Sequence, residues 1–251
     1  LTIEGCKLSY LNGLNFLGLD QLKNLTLRSK ISNWNGPFLK LNHVSFLHSK
    51  QLELLDLSFN KMNNLPDDIF CSLANLKLLN LTHNRISNFG SLGIVDHLTG
   101  HLCLQELEEL DMSYNRIPFL SKTGVASLKN LHSLFLQHNL ITEVAEISLS
   151  ALSKLRVIDL SSNYLKSLPS RLFHDSQELR ELHLQNNSLS KLNPGLFTGL
   201  SKLVILNLKH NEITNDSITS ETFVDLIRVV VLDLSYNRLA RINTYTFQSQ
   251  Y

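Results

Sequence analysis

A register that recurs every 24 residues constrains this chain more than any other feature. Leu52-x-x-Leu55-x-Leu57-x-x-Asn60 is followed by Leu76, Leu79, Leu81 and Asn84 at the same offsets. The pattern returns as Leu107/Leu110/Met112/Asn115, Leu131/Leu134/Leu136/Asn139 and Leu155/Ile158/Leu160/Asn163. It continues as Leu179/Leu182/Leu184/Asn187, Leu203/Leu206/Leu208/Asn211 and Val229/Leu232/Leu234/Asn237. Self-similarity of this length and order decides the architecture before any local propensity is consulted. It implies stacked, near-identical turns with a long exposed face and no catalytic pocket.

Each short apolar segment reads as a strand whose leucines point inward while the intervening residues face outward. The asparagine sits at the turn out of the strand, where backbone groups lack partners. Its amide both donates and accepts, so stacked copies are expected to form a ladder. A second apolar layer is Leu65, Phe89, Leu120, Val144, Leu168, Leu192 and Ile242. A third is a spine of Phe16, Phe46, Phe70, Phe173, Phe197, Phe223 and Phe247, with Val125 and Leu149 in the same slot. The pattern resembles the leucine-rich repeat. The fold expected is therefore an α/β leucine-rich repeat solenoid: a curved right-handed horseshoe, a parallel β-sheet on its concave face, and irregular or short helical segments on its convex face.

Two less regular copies lie upstream. Leu22/Leu25/Leu27 is a strand whose turn lacks the asparagine, and Leu1/Ile3 ends an earlier one with Cys6 in the asparagine slot. Cys6 is expected to be a buried thiol there. Residues 1–251 then form a single leucine-rich repeat domain of about ten repeats, counting partial ones. The chain opens and closes inside a repeat, so a fragment truncated at both ends is expected. The net charge of +1 gives no electrostatic case for nucleic acid. No run of residues is apolar and long enough to span a bilayer.

Four Asn-x-Ser/Thr triplets, at Asn24, Asn80, Asn186 and Asn215, are candidate glycan acceptors. Cys71 follows the spine residue Phe70, and Cys103 precedes Leu107 at the matching place one repeat later. Adjacent strands lie about 4.8 Å apart, and a disulfide needs Cα atoms roughly 4.4–6.8 Å apart. A Cys71–Cys103 disulfide is expected; two buried free thiols are the alternative.

The stretch Leu22–Trp34 departs from the repeat, and Leu65-Pro66-Asp67-Asp68-Ile69-Phe70-Cys71-Ser72-Leu73 follows it. An irregular insert with Ser91-Leu92-Gly93 and Cys103 comes next, then Leu184–Leu189 and Thr222–Arg228. Together these resemble the ectodomain of insect Toll receptors, in the Tollo-like subgroup. The resemblance implies the extracellular portion of a single-pass plasma-membrane receptor in innate immune or developmental signalling. It implies a protein ligand, with Spätzle-type cystine-knot cytokines among the family's ligands, receptor dimerisation, N-linked glycans and no cofactor. A membrane would be met only through parts outside this sequence. The alternative is a secreted or matrix leucine-rich repeat protein that binds or adheres without signalling.

No phosphate loop, metal-ligand spacing or nucleophile motif is found, so the chain is not read as an enzyme. His83, His138 and His210 precede ladder asparagines and read as solvated rather than metal-bound. Asp56, Asp111, Asp159 and Asp233 share one outward strand position; they form either an acidic stripe for a basic ligand or local bonds to Ser58, Ser113, Ser161 and Ser235, and local bonding is favoured. Phe135 occupies the same position as an exposed aromatic, the kind of residue that anchors interfaces. Asp159 and His183 are expected to lie side by side and interact. Ligand contact is placed around Tyr114, Phe135, His138 and His183, away from a glycan at Asn80.

Overall fold

The computed structural model describes residues 1–29, 38–88, 100–121, 125, 128–150, 152–242 and 246–247. Trp34, Phe89 and the 91–93 insert lie outside them. The fold is a parallel β-sheet leucine-rich repeat solenoid, and the Cα positions group into two compact units, Leu1–Ile117 and Pro118–Tyr251.

The first unit contains β1 (Thr2–Glu4), β2 (Tyr10–Leu11), β3 (Asn24–Arg28), β4 (Lys40–Leu41), β5 (Leu54–Asp56), β6 (Leu78–Asn80) and β7 (Glu109–Asp111). Its sheet runs β1-β3-β5-β6-β7, all parallel, with Leu25, Leu55, Leu79 and Leu110 in register. Strands β2 and β4 pair separately. The second unit contains β8 (Phe119–Leu120), β9 (Ser133–Phe135), β10 (Glu143–Val144), β11 (Val157–Asp159), β12 (Glu181–His183), β13 (Ile205–Asn207) and β14 (Val231–Asp233). Here β9-β11-β12-β13-β14 are parallel, with Leu134, Ile158, Leu182, Leu206 and Leu232 in register. Strands β8 and β10 form the accessory pair.

The strands are short because only the central apolar residue and its two neighbours stay extended before the asparagine turn. Side-chain packing behind the sheet compensates for the small number of ladder bonds per strand. Leu55, Leu57, Leu79 and Leu81 are fully buried in the first unit. Ile158, Leu160, Leu182, Leu184 and Leu206 are fully buried in the second. Each such side chain contributes roughly 1.5–3 kcal/mol by leaving water.

Further back, the aromatic spine stacks. Phe16–Phe46 and Phe46–Phe70 have ring centroids 6.2 and 6.3 Å apart, and Phe197–Phe223 and Phe223–Phe247 are at 6.1 and 5.8 Å. Phe173, Val125 and Leu149 are buried in the same layer. Of the second apolar layer, Leu65, Leu120, Val144, Leu168 and Leu192 are buried, while Ile242 is exposed. Among the described residues the segments between the strands of the main sheet are mostly turns, with the two accessory strand pairs and one 3-10 helix at Asn215–Ser217. Cys71 and Cys103 are joined by a disulfide with Cα atoms 4.7 Å apart. Cys6 corrects an expectation: it is a free, exposed thiol in the turn that follows the edge strand β1.

Candidate functional site

Asparagine side chains hold the turns in place. Asn163 shows the full pattern: its Nδ2 donates to Leu136 O, Leu160 O and Ser161 O at 3.0, 3.0 and 3.1 Å, and its Oδ1 accepts from Ile141 N at 3.0 Å. Asn84, Asn187, Asn211 and Asn237 each donate to carbonyls of their own and the preceding repeat, and accept a backbone N–H from the preceding repeat. Asn115 does the same through Leu81 O, Met112 O and Ile86 N, and Asn139 donates to Leu136 O. Asn60 donates to Leu27 O and Leu57 O, but its buried Oδ1 has no partner among the described residues.

The residue before each ladder asparagine has a positive φ: Phe59, His83, Tyr114, His138, Ser162, Asn186, His210 and Tyr236 lie between 52° and 60°. The left-handed conformation is disfavoured for side chains with a Cβ, so the bonds of the adjacent asparagine must offset it. This backbone feature leaves no periodic apolar signature, and sequence reasoning does not find it. One consequence is a ring stack in the first unit: Phe59–His83 at 4.1 Å and His83–Tyr114 at 4.2 Å. In the second unit His210 stacks on Tyr236 at 4.1 Å, with Lys209 Nζ 5.1 Å from the Tyr236 ring centre.

In the three-residue strands from β5 onward, the outward position after the central residue divides into two chemistries. Asp56, Asp111, Asp159 and Asp233 each accept the backbone N–H two residues on, from Ser58, Ser113, Ser161 and Ser235, at 2.8–2.9 Å. Asn80 and Asn207 do so toward Thr82 and Lys209. These are Asx turns, in which the side chain supplies an acceptor its own turn lacks. Local bonding, and not a free acidic stripe, therefore describes them. Phe135 and His183 break the series because neither can supply a carboxyl or amide oxygen.

The acidic residues differ in environment. Arg28 binds Asp56 through Nε at 3.1 Å and through a second guanidinium nitrogen, and reaches Glu4 at 3.2 Å. Asp56 is only 5% exposed, so the carboxylate of this ionic contact is largely desolvated. Ser235, through its side chain and then its backbone, holds the Asp233 carboxyl below its ordinary range. Burial, and then the charge of Asp111, push Glu109 above its ordinary range.

The candidate ligand residues occupy distinct settings. Tyr114 is exposed and stacks on His83 in the first unit. Within the second unit, Phe135 and His183 are half-buried on β9 and β12, and His138 is exposed at its turn. Phe135 and His183 both flank Asp159, by strand register. Phe135 is thus less exposed than expected. His183 Nε2 lies 3.3 Å from Glu181 Oε2 on its own strand, while Asp159 is engaged with the Ser161 N–H. Alignment in register does not make a partner when both side chains have nearer ones.

The four glycan-acceptor asparagines also differ. Asn24 and Asn186 are exposed, and Asn186 Nδ2 makes a long 3.4 Å contact to Ser162 Oγ. Asn80 is half-buried and its Nδ2 is 3.3 Å from Asp56 Oδ2. Asn215 bonds backbone groups of 240 and 241. Among the described residues no three His, Cys, Asp or Glu side chains gather as a metal site, and no helix is long and apolar enough to cross a membrane.

A family model described as leucine rich repeat matches residues 30–86 and, in overlapping stretches, 129–188, 153–213 and 177–239, more than half of the chain. Toll-like receptor 7 of Drosophila melanogaster is 39% identical over 128 residues, 49% of this chain and 9% of that protein. Lumican of Gallus gallus is 29% identical over 139 residues, 46% of this chain and 38% of lumican. Among solved structures, the Toll–Spatzle complex, a molecular hub in Drosophila development and innate immunity, superposes with a TM-score of 0.79 at 24% identity, over 96% of this chain and 33% of that one. The TLR13–ssRNA13 complex superposes with a TM-score of 0.55 at 25% identity, over 96% and 44%. The chain thus spans a minor part of each of these proteins.

Proposed function

We propose, from the premise that this chain belongs to the leucine-rich repeat family and is related to Toll receptors, that it is an extracellular ligand-binding portion of a Toll-type membrane receptor. The ligand is a protein, with a Spatzle-like cystine-knot cytokine as the leading candidate, and the role is innate immune or developmental signalling. One observation supports the placement of the ligand. At the outward position after the central strand residue, Phe135 and His183 are the second-unit side chains that do not close their own turns with a carboxyl or amide oxygen, as Asp159, Asn207 and Asp233 do. A half-buried aromatic and an imidazole on one sheet face supply apolar area and a hydrogen-bonding group, the combination that anchors protein interfaces. Tyr114 and His138 extend the same reading at the turns. Membership of the Tollo-like subgroup is part of this proposal.

Nucleic acid is the less favoured ligand. TLR13 is seen with single-stranded RNA, but a net charge of +1 gives this chain little counterion-release drive. The similarity to lumican keeps a matrix-binding role as the alternative. Surface plasmon resonance of recombinant Spatzle on the immobilised 251-residue chain tests the reading. Saturable binding that weakens in Phe135→Ala and His183→Ala supports it. No binding, or undiminished binding by both variants, contradicts it.

A further inference from the structure

Asn215-Asp216-Ser217 has the form of a glycan acceptor, but its polar groups already have partners within the fold. Asn215 Oδ1 accepts from Ala240 N at 2.9 Å and Arg241 N at 3.3 Å. Its Nδ2 donates to Arg241 O. An amide that accepts from and donates to the same backbone residue presents its oxygen together with the N–H on the oxygen side. In a glycosylated asparagine, a trans secondary amide, that N–H is the one replaced by the sugar carbon. The bond to Arg241 O and a sugar on Nδ2 therefore compete for one position.

The third residue of the triplet is engaged as well. Ser217 is 8% exposed, and its Oγ donates to Ser190 O at 2.6 Å. Thr214 Oγ1 lies 3.3 Å from the same hydroxyl, and Thr214 forms a parallel bridge with Arg238. The triplet forms the 3-10 helix in a repeat longer than the two before it. Its extra length is tied to the repeats on both sides, by Ser217 to 190 and by Asn215 to 240 and 241.

We propose that Asn215 is a structural clamp that excludes a glycan, and that Asn186 is the acceptor of the second unit. Asn186 is exposed, and its long contact to Ser162 Oγ leaves room for a sugar. The glycan half of this proposal rests on the extracellular reading; the clamp half does not.

Two measurements test it on the full 251-residue chain. In protein secreted from insect cells, glycopeptide mass spectrometry is expected to find Asn186 modified and the Asn215 peptide bare. A glycan on Asn215 in the folded product overturns the proposal. In unglycosylated chain, Asn215→Gln is expected to lower Tm by roughly 3–8 °C, while Asn24→Gln leaves it within about 1 °C. Should Asn215→Gln fail to fold, Asn215→Asp, which keeps an acceptor but loses the donor, is expected to give a smaller drop. A wild-type Tm in either Asn215 variant overturns the clamp. A chain with no glycan at any acceptor overturns the Asn186 assignment and the extracellular reading, while a lowered Asn215→Gln Tm still upholds the clamp.

Discussion

The two units use one repeat for different ends. In the first, side chains on the outer face and turns engage one another. Arg28 links Asp56 to Glu4, Asp56 and Asn80 close their own turns, Phe59, His83 and Tyr114 stack, and Cys71 is bonded to Cys103. In the second, the same asparagine ladder runs through Asn163, Asn187, Asn211 and Asn237, but Phe135 and His183 replace two of the turn-closing side chains. A repeat fixes the backbone with its inward residues, so substitutions at the outward positions can serve recognition with little effect on the fold.

The largest expected effect concerns the disulfide, which lies wholly within the first unit. It joins residues separated by 32 in sequence, and on the chain-entropy model its loss costs roughly 3–4 kcal/mol. Replacing Cys71 and Cys103 together by serine is expected to lower the denaturant midpoint and raise hydrogen exchange within 1–117. Equal loosening of 118–251 would break the distinction between the units.

Next comes the ladder. Asn163→Ala strands the backbone groups of Leu136, Leu160 and Ile141, at about 1–3 kcal/mol for each buried group left unpaired. Asn186→Ala, one position before the next ladder residue, removes only a 3.4 Å surface contact and a residue suited to positive φ, and is expected to cost about 1 kcal/mol or less. Chemical denaturation of both variants checks the contrast. Similar losses for the two would show that the ladder is not what secures the turn.

The smallest effects are in pH dependence, and they have opposite signs. Folding favours the ionised form of Asp233, whose carboxyl is held low by Ser235. Its contribution is present above the unfolded value and vanishes as pH falls through the folded one. Asp233→Asn is therefore expected to lose stability at neutral pH and to match the parent in acid. Folding favours the protonated form of Glu109, raised by burial and then Asp111. That contribution is present below the unfolded value and lost as pH rises through the folded one. Glu109→Gln is expected to stabilise at neutral pH by less than about 1 kcal/mol, with the gain fading in acid. Urea titrations at both pH values check each sign.

The inward pattern is legible in the sequence because leucine spacing and asparagine turns are imposed by packing. The repeat starts, the ladder and the pairing distance of Cys71 and Cys103 follow from that alone. The outward features are less legible. Positive φ at Phe59 or Tyr236 is a backbone property that no apolar period marks. His183 aligns with Asp159 in register, yet nearer partners, Glu181 and the Ser161 N–H, decide where those side chains bond. Cys6 occupies an asparagine slot, yet its thiol is exposed in the turn after the edge strand β1. The Asn215 triplet looks like the other three until the backbone of 240 and 241 is brought against it.

Recognition by the two departing side chains is the central claim, and a paired measurement of stability and affinity tests it most directly. Phe135→Ala, His183→Ala and Asp56→Ala are each to be titrated with recombinant Spatzle and melted in parallel. The account predicts that Phe135→Ala and His183→Ala weaken binding by about tenfold or more with the smaller changes in Tm. It predicts that Asp56→Ala lowers Tm while binding holds. Unchanged affinity in the first two, or a loss of affinity confined to Asp56→Ala, would contradict it.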